Sequence, residues 1–187
     1  LRHRHFRVPA AHSPGMKLTE LGWTDFFARA FAPHAQAGLE PARVTVVNRG
    51  ACVVLLPEGE APAEVSGRLR HEAAGPEDFP AVGDWAAVRR VTGDARVMIH
   101  HLLPRRTRFA RTVAGRSGGQ QILAANIDTV FLLSSLNQGF NPRRIERFLT
   151  LAWDSGAQPV IVLTKSDLCA NPDELRPGRV RNEDTLG

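Results

Sequence analysis

The sequence predicts two folds in series: a small all-β barrel of the OB type, followed by an incomplete α/β sheet. Short period-two apolar runs crowd into about 60 residues from Arg43 onward, more than an open hairpin needs and typical of a closed barrel. An arginine-rich interval without any carboxylate follows them. Beyond it come two nearly continuous apolar runs separated by a segment of helical period, the pattern of one βαβ unit.

Taken in order, residues 1–15 form a basic leader with His3, His5 and His12 but no apolar core of the secretory kind. It is expected to be a disordered or added tail, and a solvated tail is a simpler reading of those histidines than a metal site. Residues 16–42 carry a helix through Phe26, Phe27 and Phe31, with Thr24 or Asp25 as cap and Pro33 as stop. Its aromatic residues are expected to pack on the neighbouring domain.

The barrel is expected over 43–112. Val44-Thr45-Val46-Val47 and Ala51-Cys52-Val53-Val54-Leu55-Leu56 flank Asn48-Arg49-Gly50 as a hairpin. Further strands are expected at 65–69, 85–91 and 96–103. Residues 113–124, with Ser117-Gly118-Gly119, read as a flexible linker. In the final segment, 125–187, Ile127 to Leu133 and Pro159 to Leu163 are parallel strands. Between them Asn141 caps a helix with Pro142 in its first turn and Ile145, Phe148, Leu149 and Ala152 on one face. Residues 176–187 do not continue the helix that Asp173-Glu174-Leu175 begins.

The chain has 187 residues, 43% of them apolar, which is enough for real cores but contains no run long enough to span a membrane. Cys52 and Cys169 lack the spacing of a metal or redox motif and read as reduced thiols, which fits a cytoplasmic setting. The net charge of +5 rests on 22 arginines against two lysines. A global count of that kind also follows genome composition, so position matters more. Between Asp94 and Asp128 there is no acid, while Arg105, Arg106, Arg108, Arg111 and Arg116 all fall there. They read either as a solvated linker or as phosphate contacts to a folded RNA, which would weaken steeply with salt.

The second candidate site is Thr164-Lys165-Ser166-Asp167, at the carboxyl end of the second parallel strand, where open α/β sheets bind ligands. A carboxylate held there can accept hydrogen bonds from the N1–H and exocyclic amine of guanine, a donor pair that adenine lacks. Asp167 has that role, Lys165 lays its aliphatic stem on the purine, and Thr164 and Ser166 fix the loop through backbone-directed hydrogen bonds. A plain strand-to-helix turn capped by Ser166 or Asp167 accounts for the tetrapeptide equally well. A guanine loop normally follows a phosphate loop of the form G-x-x-x-x-G-K-[ST]. Neither lysine, Lys17 or Lys165, sits in one.

Leu21-Gly22-Trp23, Val82-Gly83-Asp84-Trp85, Leu103-Pro104-Arg105-Arg106, Ala124-Ala125-Asn126-Ile127-Asp128-Thr129-Val130-Phe131 and Thr164-Lys165-Ser166-Asp167, in that order, resemble the ribosome small subunit-dependent GTPase A family over residues 16–175. The resemblance implies an OB-fold barrel and then a P-loop-type GTPase domain that is circularly permuted, so that the guanine loop precedes the phosphate loop. A small zinc-binding domain comes last. It implies GTP and GDP as ligands, with Lys165 and Asp167 reading guanine and Thr164 replacing the more usual asparagine. It also implies rRNA of the small ribosomal subunit as partner, engaged late in maturation by a cytoplasmic monomer with no membrane role.

The family's phosphate loop, magnesium ligands, switches and zinc site would all fall after Gly187. The 187 residues are therefore expected not to hydrolyse GTP alone. A non-enzymatic OB-fold RNA-binding protein, with the βαβ segment as scaffold, is the alternative.

Overall fold

A computed structural model describes residues 15–48, 51–112, 120–136 and 141–168. They form two compact units that divide between Ile127 and Asp128.

In the first unit, strands β1 (Glu40–Asn48), β2 (Ala51–Leu56), β3 (Gly59–Val65), β4 (Trp85–Arg90) and β5 (Val97–Leu102) close a barrel in the order β1-β2-β3-β5-β4. Alternation decides its inside: Ala42, Val44, Cys52, Val54, Ala61, Ala63, Ala86, Val88, Val97 and Ile99 point into one core. The hairpin at 44–56 is as expected, with Asn48 opposite Ala51. Cys52 is a buried free thiol, pushed up from its ordinary pKa by burial; Cys169 lies outside the described residues.

The strand expected at 65–69 is instead the end of β3 and a short helix, α2 (Gly67–Glu72). Ser66 caps that helix by accepting from Leu69 N at 3.2 Å, and Arg68 pairs with Glu72 one turn on. The third strand lies earlier, beginning at Gly59 directly after the turn at Pro57 and Glu58. Pro62 is tolerated in it because the parallel ladder to β5 begins only at Ala63.

Thr24 precedes helix α1 (Asp25–Gln36), which runs through Pro33 rather than stopping there. Proline removes one N–H from the last turns, while Phe27 and Phe31 anchor the helix in a cluster with Trp85, Ala87, Leu39 and Leu103. Trp23 packs edge-on against Trp85 with ring centroids 4.6 Å apart. The helix aromatics thus close one side of the barrel, and β4 is buried on both faces.

Part of the stretch read as a linker is a strand. β6 (Arg108–Thr112) and β7 (Gln120–Ala125) form an antiparallel pair with a bulge between Phe109 and Ala110. Residues 113–119, including the Ser-Gly-Gly run and Arg116, lie outside the described residues. β7 approaches the barrel so closely at Gly83 (φ +89°) that a Cβ there would sit 2.0 Å from the Ala125 carbonyl oxygen. Only glycine fits.

The second unit pairs β8 (Thr129–Ser135) in parallel with β9 (Gln158–Thr164), from Thr129 beside Gln158 to Ser135 beside Thr164. Helix α3 (Pro142–Asp154) connects them. Asn141 caps it by accepting from Arg144 N at 3.2 Å, and Ile145, Leu149 and Ala152 face inward. Phe131 and Leu133 on β8 are 63% and 70% exposed, so among the described residues α3 covers one face of the pair and leaves the other bare.

Candidate guanine loop and arginine strand

β9 ends at Thr164, whose carbonyl accepts from Leu136 N at 2.9 Å and whose hydroxyl makes a long 3.5 Å contact to the Ser134 carbonyl. Lys165 then reverses the chain in a left-handed conformation (φ +57°), unusual for a residue with a Cβ. Ser166–Leu168 follows as a single 3-10 turn, closed by Leu168 N donating to the Lys165 carbonyl at 3.1 Å. The turn lifts Lys165, Ser166 and Asp167 clear of the sheet's carboxyl edge. All three side chains are exposed, and neither the Lys165 ammonium nor the Asp167 carboxylate is committed to another described residue. The strained backbone is held by its neighbours on both sides, as at sites that present a side chain to a ligand. The Thr164 hydroxyl thus reaches a backbone carbonyl of β8 only at long range, and Ser166 makes no side-chain hydrogen bond among the described residues.

The arginines separate into two kinds. Arg105 is not a surface residue. Its Nε donates to Asp84 Oδ1 at 2.8 Å and its Nη2 to Asp84 Oδ2 at 2.7 Å, while Nη1 and Nη2 donate to the carbonyls of Glu77 and Phe79 at 2.6 and 2.9 Å. Asp84 is fully buried and the Arg105 side chain is 15% exposed. The expectation of a phosphate contact at Arg105 is therefore corrected: four of its five N–H donors are taken by the fold.

Arg106, Arg108 and Arg111 are exposed. Arg106 uses only its backbone N–H, donated to Asn126 Oδ1 at 2.9 Å, and leaves its guanidinium in solvent. Arg111 rests on Gln121 Oε1 through Nε and Nη2 at 3.0 and 2.8 Å, across the β6–β7 pair. An interval without acids in sequence is not without acids in space. Arg96, in the same interval, pairs with Asp94 and Glu64, the latter from β3.

Two further residues organise the site, and neither was singled out by sequence reasoning. Asn126, itself left-handed (φ +54°), accepts from Arg106 N, donates to the Gly83 carbonyl at 3.0 Å through Nδ2, and gives its own carbonyl to Arg43 Nη2 at 3.1 Å. Arg43 also donates to the Leu21 carbonyl and lies over the Trp85 ring, 5.5 Å from its centroid. The signal was present. The segments containing Leu21, Gly83-Asp84-Trp85, Arg105-Arg106 and Asn126 are those that carry the family resemblance, and the structure brings them together as one knot. Most of them build the fold; free side-chain chemistry is left at Arg106 and at the fifth segment.

Among the described residues no group of three or more His, Cys, Asp or Glu side chains is placed to hold a metal ion. No described helix is long and apolar enough to cross a membrane.

The model of the RsgA GTPase family matches residues 102–184, from the end of β5 past the Thr164–Asp167 turn. A protein of Opitutus terrae named small ribosomal subunit biogenesis GTPase RsgA is 49% identical over 170 residues, covering 84% of this chain and 45% of that protein. Its namesake in Streptomyces coelicolor is 42% identical, covering 89% and 44%. Crystal structures of YjeQ from Thermotoga maritima (TM-score 0.55) and of YloQ, described as a circularly permuted GTPase (TM-score 0.52), are each 20% identical and share the fold over 73% and 70% of this chain. The chain spans under half the length of these relatives.

Proposed function

The chain belongs to the RsgA GTPase family, and on that premise we propose that it is the guanine-selecting and RNA-engaging part of a GTPase acting in late assembly of the small ribosomal subunit. One observation carries the nucleotide half of the proposal: Asp167 stands exposed and uncommitted just past the carboxyl edge of the β8–β9 pair, on a turn that Lys165 holds in a left-handed conformation. A carboxylate so placed accepts from guanine N1–H and N2–H together. Each charged hydrogen bond contributes about 1.5–3 kcal/mol, enough to favour guanine over adenine by orders of magnitude. Lys165 covers the purine face with its methylene stem while its ammonium stays in water.

Phosphoryl transfer needs a cradle for the phosphates and a place for magnesium. The 187 residues contain no G-x-x-x-x-G-K-[ST] segment, so this chain alone binds guanine weakly and does not turn over GTP. No catalytic step is assigned to its residues. RNA contact falls to the exposed Arg106, Arg108 and Arg111, with Arg116 on the same stretch of chain; each phosphate neutralised releases counterions. The protein works in the cytoplasm as a monomer, with the small subunit and its rRNA as partner.

The test uses the intact protein, including its phosphate loop. It should bind a fluorescent GDP analogue at least tenfold more tightly than the ADP analogue, and Asp167→Asn should weaken GDP and improve xanthosine diphosphate. Equal affinity for GDP and ADP refutes the guanine reading.

A further inference from the structure

Two cavities on the barrel unit, of about 280 and 490 Å3, share Val47, Phe79 and Pro80 and so form one groove. It starts beside the turn end of the β1–β2 hairpin, at Val47, Asn48, Ala51 and Cys52, and the C-terminal end of β3, runs past Phe79 and Pro80, and reaches Gln121 and Leu123 on β7. Its apolar walls are left open to solvent: Val47, Phe79 and Leu123 are 40%, 37% and 42% exposed. Neither cavity is lined by a carboxylate. Arg70 of α2 lines one end and makes no ion pair among the described residues. At the other end Gln121 carries the Arg111 guanidinium on its side-chain oxygen.

An aromatic ring in an apolar slot, with a cation at each end and no anion in the walls, matches an unpaired nucleotide: a flat base inside and phosphates at the two ends. An apolar peptide would use the same walls but has no need of the two cations. The first hairpin and the adjoining strands are also the face through which OB barrels take up oligonucleotides.

We propose that this groove takes one unstacked base of single-stranded RNA, stacked on Phe79, with the flanking phosphates held by Arg70 and Arg111. The inference rests on the RNA-binding half of the proposed function and adds to it a place, a strand state and a stacking residue.

Anisotropy titrations of the 187-residue chain with a labelled ten-nucleotide single-stranded RNA, and with the same oligonucleotide carrying one central abasic site, test it. Phe79→Ala should lower affinity for the intact oligonucleotide about tenfold without changing the salt slope, and Phe79→Trp should restore it. Arg70→Ala should flatten the slope instead. The abasic oligonucleotide should bind the unaltered chain about as weakly as the intact one binds Phe79→Ala. A 4-thiouridine in place of the central base should crosslink to the peptide carrying Val47 or Phe79, a readout that needs no variant. Intact binding that ignores both Phe79 and the missing base assigns the groove to a peptide partner and overturns the proposal. Failure of the unaltered chain to bind any RNA overturns the RNA reading itself, a different result.

Discussion

Removing Arg105 should unfold the barrel unit before it changes RNA binding. In Arg105→Ala the Asp84 carboxylate, fully buried, keeps only one of its hydrogen bonds, from Ala81 N at 2.8 Å, and the carbonyls of Glu77 and Phe79 lose their donors. Taking one partner from a buried ion pair costs about 3–5 kcal/mol, because the remaining charge stays out of water. For a unit of this size that corresponds to roughly 10–20 °C in Tm. Urea unfolding is readable through the fluorescence of Trp23 and Trp85, which pack beside the latch. Arg105→Lys should recover only part of the loss, since an ammonium cannot span both carboxylate oxygens and both carbonyls. The paired replacement Asp84→Leu/Arg105→Met should be less damaging than Arg105→Ala alone, as no orphaned charge remains. A loss under 1 kcal/mol for Arg105→Ala, together with a fall in RNA affinity equal to that of Arg106→Ala, would refute the latch and return Arg105 to the phosphate-binding set.

At the exposed face of β6, Arg106→Ala with Arg108→Ala should leave stability within about 0.5 kcal/mol and reduce the salt dependence of RNA binding by roughly two phosphate contacts, measured as the slope of log affinity against log salt. An unchanged slope makes these arginines solvated bystanders. The rings of His34 and His101 stack at 4.5 Å between α1 and β5. Burial lowers both from the ordinary imidazole pKa, helped at His34 by His101, and at His101 by Arg68 and His100 against an opposing pull from Glu72. His100 is lowered as well, by burial and then by Arg89 and Arg68. The folded state thus stays neutral at a pH where the unfolded chain has taken up protons. Stability present above about pH 6.5 should fall as the pH drops below it, and His101→Phe should flatten that limb in urea titrations at pH 7.5, 6.5 and 5.5. A limb of unchanged steepness would place the acid sensitivity elsewhere.

How much of this could be read from sequence depends on how local each cause is. The β1–β2 hairpin, β4, β5 and the βαβ unit announce themselves because their apolar spacing is set by neighbours two or four residues away. β3 does not. Its Glu60, Pro62 and Glu64 are residue types that strands disfavour, and what makes it a strand is the pair of ladders on either side, from β2 and β5. The Ser66 cap was the overlooked local sign that the chain turns helical. β7 stayed hidden because its register comes from β6 and from Gly83, more than 35 residues away. At the candidate sites, the turn that follows β9 at Thr164 was legible because a strand end is a local event. Arg105 was misread because its partner, Asp84, lies 21 residues back, where no charge window reaches.

The bare face of the β8–β9 pair governs how the chain behaves in the test tube. Among the described residues, Phe131 and Leu133 offer an exposed apolar surface on a sheet of two strands, a template for self-association as concentration rises. If the exposed arginines of β6 hold RNA as proposed, concentrated salt is what sheds nucleic acid carried over from the cell. Salting-out ions such as sulfate strengthen contact between apolar faces while they do so. Purification is therefore caught between the two halves of the molecule: chloride at moderate strength strips the strand without driving the sheets together, and ammonium sulfate would do both.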